Sequence, residues 1–327
     1  MVKKVAWFDA SEFEKEFLEN VDTGLDIEFF DQPLDSDTVS KAEGFDAVTV
    51  FIDSEVDSDV ISELDAELVA CRSTGFDHVD TESASDRGIA VCNVPNYSAN
   101  TVAEHTFALL LAISRKLYDA INKVKEGSFS HEGLRGFDLQ GKTFGVIGTG
   151  SIGRHAIRIA KGFGMDVKGF DPYPDEEKAD ELGFDYVSLE ELLKVSDVVS
   201  LHCPLTDENE HLLSEEEFEL MDETVIINTA RGKLIDTEAL IKALENGDVM
   251  AAGLDVLEDE CYMSDDINYL GDVGEKCDLQ VILEDHILMG RDDVVVTPHN
   301  AFNSDEALGR LVKTTLGNLK ECTNRVN

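Results

Sequence analysis

The chain has 327 residues, of which 43% are hydrophobic, and its 69 acidic against 27 basic side chains give a net charge of −42. Single cores rarely exceed roughly 250 residues, so this length predicts two domains. The negative charge disfavours nucleic-acid and anionic-membrane partners, because both bind through lysine and arginine clusters. No apolar run approaches the length of a membrane span or a signal-peptide core, which predicts a cytoplasmic protein.

The acidic residues are interleaved with periodic apolar positions rather than gathered in a tail. This pattern indicates a folded body with an acidic surface instead of a disordered chain. Such a surface repels itself at low salt, whereas near 1 M salt the screening length falls to about 3 Å. We therefore interpret the composition as halophilic adaptation to a salt-rich cytoplasm.

The six cysteines are scattered along the chain without a CxxC pair, and three of them lie in or beside apolar strand-like runs. This distribution predicts reduced, mostly buried thiols. It predicts neither a disulfide framework nor a zinc site.

Strand-like and helix-like segments alternate from the amino end onwards. Short apolar runs such as "VAWF", "DAVTVFI" and "ELVACR" are separated by acidic amphipathic stretches. Such alternation is typical of a parallel sheet covered by helices, and it predicts a first α/β unit of about a hundred residues. After "NVPNYSAN" and a long helical pattern, a second alternating series runs from Lys142 to about Leu257. We predict a second doubly wound unit there.

The strongest single signal opens this second unit. Gly148, Gly150 and Gly153 have G-x-G-x-x-G spacing after an apolar strand and at the start of an amphipathic helix. In dinucleotide-binding folds the first glycine allows a tight turn, the second lets the backbone approach the pyrophosphate, and the third lets helix and strand pack closely. Asp171 ends the next strand, where a carboxylate accepts hydrogen bonds from ribose hydroxyls and repels a 2′-phosphate. The pattern predicts NAD rather than NADP as the cofactor.

Three polar residues follow apolar strand-like runs further along: Arg231 after "VIINTA", Glu260 shortly after "AAGLDV", and His299 after "VVVTP". Ligands bind at the carboxyl ends of strands in open parallel sheets, so we expect all three at one edge. An arginine grips a carboxylate with two parallel hydrogen bonds, a histidine exchanges a proton near neutral pH, and a glutamate beside the histidine orients it. Two other histidines, His105 and His202, lie in apolar surroundings that favour packing or hydrogen-bonding roles.

The motifs "PNYSANTVAEH", "GTGSIG", "INTARGKLIDTEAL", "AAGLDVLEDE" and "TPHNAF" occur in the order found in the D-isomer-specific 2-hydroxyacid dehydrogenase family. The chain resembles this family over nearly its whole length and is most similar to the D-lactate dehydrogenase branch. The resemblance implies an α/β fold with two doubly wound parallel-sheet domains. These are an NAD-binding Rossmann domain over residues 100–300 and a discontinuous flavodoxin-like substrate domain over 1–99 and 301–327. It also implies a homodimer joined largely through the coenzyme domains.

The resemblance further implies roles for individual residues. Arg231 would bind the substrate carboxylate, His299 would exchange the proton of the C2 oxygen, and Glu260, rather than Glu258, would pair with the imidazole. The other residues implied to bind substrate are Thr74, Gly75, Tyr97 and Phe302. Those implied to bind the cofactor are Gly148, Gly150, Ser151, Ile152, Gly153, Asp171, Cys203, Pro204, Asn209, Thr229, Ala230 and Asp255. No residue is assigned to a metal.

These roles predict an enzyme that reduces a small 2-oxo acid, such as pyruvate, to the D-2-hydroxy acid with NADH. Hydroxypyruvate or glyoxylate reduction and phosphoglycerate oxidation on the same scaffold stay open, as does a non-enzymatic NADH-sensing protein. The family's formate branch is disfavoured, because it would want glutamine where Glu260 stands. We interpret the acidic segment between Glu260 and His299 as a surface excursion with one helix rather than a lid.

Overall fold

The computed structural model describes residues 2–258 and 279–327. The chain divides into two compact units, Met1–Ser98 with Asn303–Asn327, and Ala99–Phe302. The domain boundaries expected from the sequence differ from these limits by one or two residues. Both units are α/β, and each contains one all-parallel sheet, which confirms the predicted fold class. None of the described helices is both long and apolar enough to cross a membrane.

The first unit is built on a five-stranded sheet. Its strands are β1 (Lys4–Trp7), β2 (Asp26–Phe29), β3 (Ala47–Val50), β4 (Leu68–Cys71) and β5 (Ala90–Cys92), in the spatial order β2-β1-β3-β4-β5. Its helices are α1 (Glu12–Glu19), α2 (Ser58–Glu63), α3 (Thr81–Asp86) and α12 (Asp305–Glu321), with a 3₁₀ turn at Val39–Ala42. Strands β3 and β4 are buried along their whole length, because helices cover both faces of the sheet, and their residues are apolar except for Thr49.

The second unit is built on a seven-stranded sheet. Its strands are β6 (Thr143–Ile147), β7 (Asp166–Phe170), β8 (Asp185–Tyr186), β9 (Val198–Leu201), β10 (Thr224–Asn228), β11 (Val249–Leu254) and β12 (Val294–Val296). Its helices are α4 (Ala99–Ser114), α5 (Leu117–Lys125), α6 (Ser151–Gly162), α7 (Glu176–Leu182), α8 (Leu189–Val195), α9 (Glu215–Phe218), α10 (Thr237–Asn246) and α11 (Leu279–Met289). The spatial order is β12-β11-β10-β9-β6-β7-β8, so the winding direction reverses between β6 and β9. Ligands bind at such switch points, outside the carboxyl ends of the strands.

Short polar residues and glycines set the ends of several helices. Ser11 and Glu14 form a capping box at the amino end of α1. Asp236 caps α10 by accepting from Ala239 N at 2.9 Å, and α10 ends at Gly247 with φ +90°. The N-terminal signals fix where each of these helices begins, and so where the loop from the preceding strand ends.

The structure corrects the prediction of reduced thiols for one pair of cysteines. Cys92 at the end of β5 and Cys322 directly after α12 form a disulfide, with their Cα atoms 6.0 Å apart. The two residues are 230 positions apart, and only the pairing of the C-terminal segment with β5, where Asn93 N donates to Asn324 O at 3.1 Å, brings them together. Of the other four, Cys71 and Cys203 are free thiols, and Cys261 and Cys277 lie outside the described residues.

Candidate active site

The glycine turn joins β6 to α6 at the carboxyl edge of the second sheet. Gly148 has φ +91°, and a Cβ there would lie 2.6 Å from Cys203 N, so any side chain is excluded. A Cβ on Gly153 would collide with the Gly148 carbonyl oxygen, because α6 packs directly on the turn. No described atom lies within 4 Å of a Cβ placed on Gly150. The turn therefore has the close packing and the open approach that a dinucleotide pyrophosphate needs, and Ser151 and Ile152 follow as the first residues of α6.

Asp171 directly follows β7 and lies beside this turn. Its Oδ2 accepts from Thr149 N at 2.8 Å and from the Thr149 hydroxyl at 3.0 Å, and its Oδ1 accepts from Tyr173 N at 2.9 Å. A carboxylate offers about four lone-pair sites, so these bonds fix its direction and leave capacity for ribose hydroxyls. The acidic residue and the glycine turn thus form one site suited to the adenosine end of NAD.

The loop after β9 faces the glycine turn. Burial, with a smaller contribution from Asp171, raises the pKa of the Cys203 thiol to about 11, so the thiol is neutral. Asn209 ties the loop together by accepting from Thr206 N at 2.7 Å and donating to Pro204 O at 2.8 Å. The predicted cofactor residues Cys203, Pro204 and Asn209 therefore belong to one loop, in which the Asn209 side chain already has partners within the loop.

His202 precedes that loop and bonds to a serine of β9. Its Nε2 lies 2.9 Å from Ser200 Oγ, while its Nδ1 is buried without a described partner. Burial lowers the pKa of His202 to about 4, so its ring is uncharged at neutral pH. The residue has the hydrogen-bonding role that its apolar surroundings favoured.

Arg231 and His299 follow β10 and β12, the strands on either side of β11, at the same edge of the sheet. β10 pairs with β11, and β11 with β12, all in parallel, so that Asn228, Leu254 and Val296 end their strands side by side. Arg231 stands three residues past the end of β10 and His299 three residues past the end of β12. Both residues are partly buried, and the equal offsets place them on loops at the same edge, with the segment after β11 between them.

Backbone hydrogen bonds connect these loops across the sheet. Asp255 N donates to Asn228 O at 2.9 Å, and His299 N donates to Asp255 O at 2.9 Å. The buried Asn228 side chain donates to Arg231 O at 2.8 Å and accepts from Ala230 N at 3.0 Å. Arg231 and His299 are therefore held by one continuous network that starts at Asn228.

The carboxylate of Asp255 is the centre of this network. It is 1% exposed and accepts from the Thr297 hydroxyl, from Asn300 N at 2.9 Å and from Ala301 N at 2.8 Å. Burial alone would raise the pKa of Asp255, but these bonds and one from His105 lower it below its ordinary value. The ionised carboxylate grips both sides of His299, whose backbone is held at φ +48°.

Two residues of α4 support the same edge. His105 Nε2 lies 3.0 Å from Thr297 Oγ1 and 3.3 Å from Asp255 Oδ1. At the next position, Thr106 Oγ1 lies 3.1 Å from the hydroxyl of the buried Thr229. The histidine that the sequence assigned to a hydrogen-bonding role therefore braces the loop that carries His299.

Glu260 lies outside the described residues. Glu258, two residues before Glu260, has its carboxylate 2.6 Å from His211 Nε2 and accepts from Thr237 N at 3.0 Å. Because both of its oxygens have partners on the β10–α10 side, Glu258 is committed to that side of the edge. The pairing of Glu260 with His299 stays a prediction.

The remaining substrate candidates fall in both units. In the first unit, Thr74 and Gly75 follow β4, and this loop is held by Thr74 Oγ1 donating to Val94 O at 3.0 Å. Tyr97 is buried, and its carbonyl accepts from Arg310 Nε at 2.6 Å. In the second unit, Phe302 lies partly buried three residues past His299.

Asn228 and Thr297 support the site but were not among the residues predicted from the sequence. Asn228 ends β10 in "VIIN", where an amide in a fully buried apolar strand was the available signal. A buried polar side chain requires a partner, so its presence indicated a fixed loop beyond it. Thr297 had no comparable signal, because its importance lies in contacts with α4 and Asp255, which are distant in the sequence.

Comparisons with known proteins identify the family to which this chain belongs. The model of the D-isomer specific 2-hydroxyacid dehydrogenase NAD binding domain matches residues 107–301. The D-lactate dehydrogenase of Escherichia coli K12 is 41% identical over 326 residues, covering 97% of this chain and 95% of that protein. The glyoxylate reductase of Korarchaeum cryptofilum is 36% identical over 86% of this chain and 80% of that protein.

A solved structure shows the same fold with ligands. The crystal structure of Aquifex aeolicus D-lactate dehydrogenase, complexed with NAD and lactic acid, has a TM-score of 0.86 and 33% identity, and the match covers 98% of each chain. The chain therefore belongs to the D-isomer-specific 2-hydroxyacid dehydrogenase family, in its D-lactate dehydrogenase-like branch, and is an NAD-dependent oxidoreductase.

Proposed function

We propose that the protein reduces a small 2-oxo acid of pyruvate size to the D-2-hydroxy acid. The observation that supports this proposal is the network joining Asn228, Asp255 and His299, which connects the loops of Arg231 and His299 at one edge of the sheet. An anion-binding fork next to a proton-exchanging ring is the pair of groups that reduction of a 2-oxo acid requires.

In this proposal NADH supplies the hydride that C2 of the oxo acid accepts. Arg231 binds the carboxylate with two N–H donors and polarises the keto oxygen. The protonated ring of His299 gives a ring N–H proton to that oxygen, so the ketone becomes a hydroxyl and the imidazole becomes neutral. In the oxidative direction the neutral ring takes the proton back.

The other residues assigned from the resemblance support these steps. Asp255 keeps the His299 loop in place, and Glu260 orients the imidazole and favours its protonated form. We propose that Thr74 and Gly75 present backbone N–H groups to the carboxylate, and that Tyr97 and Phe302 shape the pocket. Cofactor contacts are proposed for Gly148, Gly150, Ser151, Ile152, Gly153, Asp171, Cys203, Pro204, Asn209, Thr229, Ala230 and Asp255.

The test is to follow NADH absorbance at high KCl with pyruvate, hydroxypyruvate, glyoxylate and a branched 2-oxo acid, and to assay the product for D or L configuration. Turnover that favours pyruvate and yields the D product is expected. Preference for glyoxylate or hydroxypyruvate would favour the reductase alternative, which the similarity to a glyoxylate reductase also supports. NADH binding without turnover of any substrate would favour a sensing protein.

We propose that the protein is a homodimer that uses α5. This helix has no buried residue, and its apolar side chains Leu117, Tyr118, Ile121 and Val124 are 51%, 69%, 47% and 48% exposed. Their i, i+1, i+4, i+7 spacing makes one apolar stripe, which is typical of a surface covered in an assembly. Mass measurement by light scattering tests this, with Ile121→Glu expected to shift the dimer towards monomer.

We further propose that the protein works in a salt-rich cytoplasm. The charge of −42 makes the folded chain repel itself unless counterions screen it. Activity and melting temperature are expected to fall when KCl drops below a few hundred millimolar, and full activity in dilute buffer would contradict the proposal.

A further inference from the structure

The loop that follows Arg231 is bordered on one side by the segment 211–213. His211 N donates to Lys233 O at 2.8 Å and Leu213 N donates to Leu234 O at 3.0 Å, while Asp236 N donates back to Leu213 O at 3.0 Å. These bonds include one parallel bridge, between Leu213 and Ile235, directly after the 3₁₀ turn Gly232–Leu234. The turn that carries the guanidinium is thus attached to a distant stretch of chain.

On its other side the same turn contacts residues 257–258, which follow β11. A Cβ on Gly232 would collide with the Leu257 carbonyl and with Glu258 N, so the two backbones touch and any side chain at position 232 is excluded. The turn after Arg231 is therefore enclosed between residues 211–213 and residues 257–258.

One acidic side chain connects the two borders. Glu258 Oε1 lies 2.6 Å from His211 Nε2, and Oε2 accepts from Thr237 N, the first residue of α10, at 3.0 Å. The Glu258 side chain is 11% exposed and that of His211 is 39% exposed, so the bond is partly shielded from water. His211 holds a left-handed backbone at φ +53°, a conformation that a residue other than glycine keeps only when its surroundings hold it there.

We propose that His211 and Glu258 are positioning residues, which clamp the turn after Arg231 and hold its guanidinium in place for the carboxylate of the 2-oxo acid. This inference rests on the proposed function, in which Arg231 binds that carboxylate. Neither clamp residue touches the substrate. A small displacement of the Arg231 guanidinium weakens both of its parallel hydrogen bonds to the carboxylate. We therefore expect the clamp to act on substrate affinity.

The experiment compares His211→Ala, Glu258→Ala and the double variant in steady-state assays with NADH and the preferred 2-oxo acid. Each single variant is expected to raise KM for the oxo acid about 10-fold, with kcat changed less than about 3-fold, because ground-state and transition-state binding of the carboxylate weaken together. The double variant is expected to match the singles, since either change opens the clamp. The dissociation constant for NADH, from fluorescence titration, is expected to stay at its wild-type value.

Two further variants separate positioning from general damage. Glu238→Ala removes an exposed pair on α10, where Lys242 Nζ lies 2.9 Å from Glu238 Oε1, and it is expected to leave KM unchanged. His211→Gln keeps a donor at the position of Nε2 and is expected to restore KM to within about 3-fold of wild type. It also serves as the folded variant if His211→Ala does not fold.

An unchanged KM in folded His211 and Glu258 variants would overturn the clamp alone. An equal rise in KM and in the NADH dissociation constant would overturn it too, because that result indicates a loss of domain structure. If the wild type turned over no 2-oxo acid, both the proposed function and this inference would fail.

Discussion

The second unit has two regions at one sheet edge, and they are built in opposite ways. At the ends of β6 and β7 the cofactor region depends on missing side chains, since Gly148 and Gly153 leave no room for a Cβ and Gly150 leaves open space. At the ends of β10, β11 and β12 lies the region that carries Arg231 and His299, which we call the chemical region. It depends on the hydrogen bonds that the Asp255 carboxylate accepts. Binding and turnover should therefore respond to different substitutions.

The largest difference between the effects on turnover and on NADH binding is expected from His299→Ala. Loss of the proposed proton donor should lower kcat by about 10²- to 10⁴-fold, the range typical of a removed general acid. NADH affinity should stay unchanged, because the glycine turn and Asp171 are not altered. Steady-state kinetics and fluorescence titration check both values, and a kcat within a few-fold of wild type would remove His299 from the mechanism.

The opposite result, a loss of NADH binding, is expected from Gly148→Val. The new side chain would meet the Cys203 backbone at a residue with φ +91°, so the turn must open. NADH affinity should fall about 10- to 100-fold, from a strain of a few kcal/mol. Thermal unfolding of the variant without NADH provides the control. Unchanged NADH affinity in a folded protein would show that the turn is not the pyrophosphate site.

A smaller effect is expected from Asp171→Asn, which removes the charge beside the ribose. The preference for NADH over NADPH, expressed as the ratio of their affinities, should fall about 10-fold. A charge-assisted bond to the ribose and the repulsion of a 2′-phosphate are both lost. Asp175→Asn, four residues along, changes the same charge at the Arg154 pair and serves as the matched control. Equal shifts in both variants would indicate a general electrostatic effect.

The smallest effect is expected in the acid stability of the chemical region. The folded-state pKa of Asp255 lies below its ordinary value of 3.8, so the ionised carboxylate stabilises the fold above pH 3.8. This stabilisation is lost as the pH falls below 3.8 through the lowered folded-state pKa. Asp255→Asn should lower Tm at pH 7 by about 2–4 °C per kcal/mol lost, with a difference from wild type that shrinks in acid. A constant difference across pH would exclude the carboxylate as its source.

Much of the cofactor region was predictable from local spacing. The three glycines and Asp171 lie within 24 positions, directly after the strand β6, and each acts through the backbone next to it. The order of strand-end motifs likewise predicted that Arg231 and His299 share an edge. The prediction of reduced thiols was wrong for Cys92 and Cys322, because these two cysteines stand 230 positions apart and only the pairing of the C-terminal segment with β5 brings them together.

The sequence by itself determined the two α/β units, the cofactor class and the residue types available for chemistry, because these follow from periodicity and from short-range backbone geometry. Only the tertiary structure decided that Asp255 serves as a hub and that Glu258 belongs to His211 rather than to the edge near His299. A carboxylate's partners depend on which loops fold beside it. Two acids that stand three residues apart in the chain can therefore have unrelated roles.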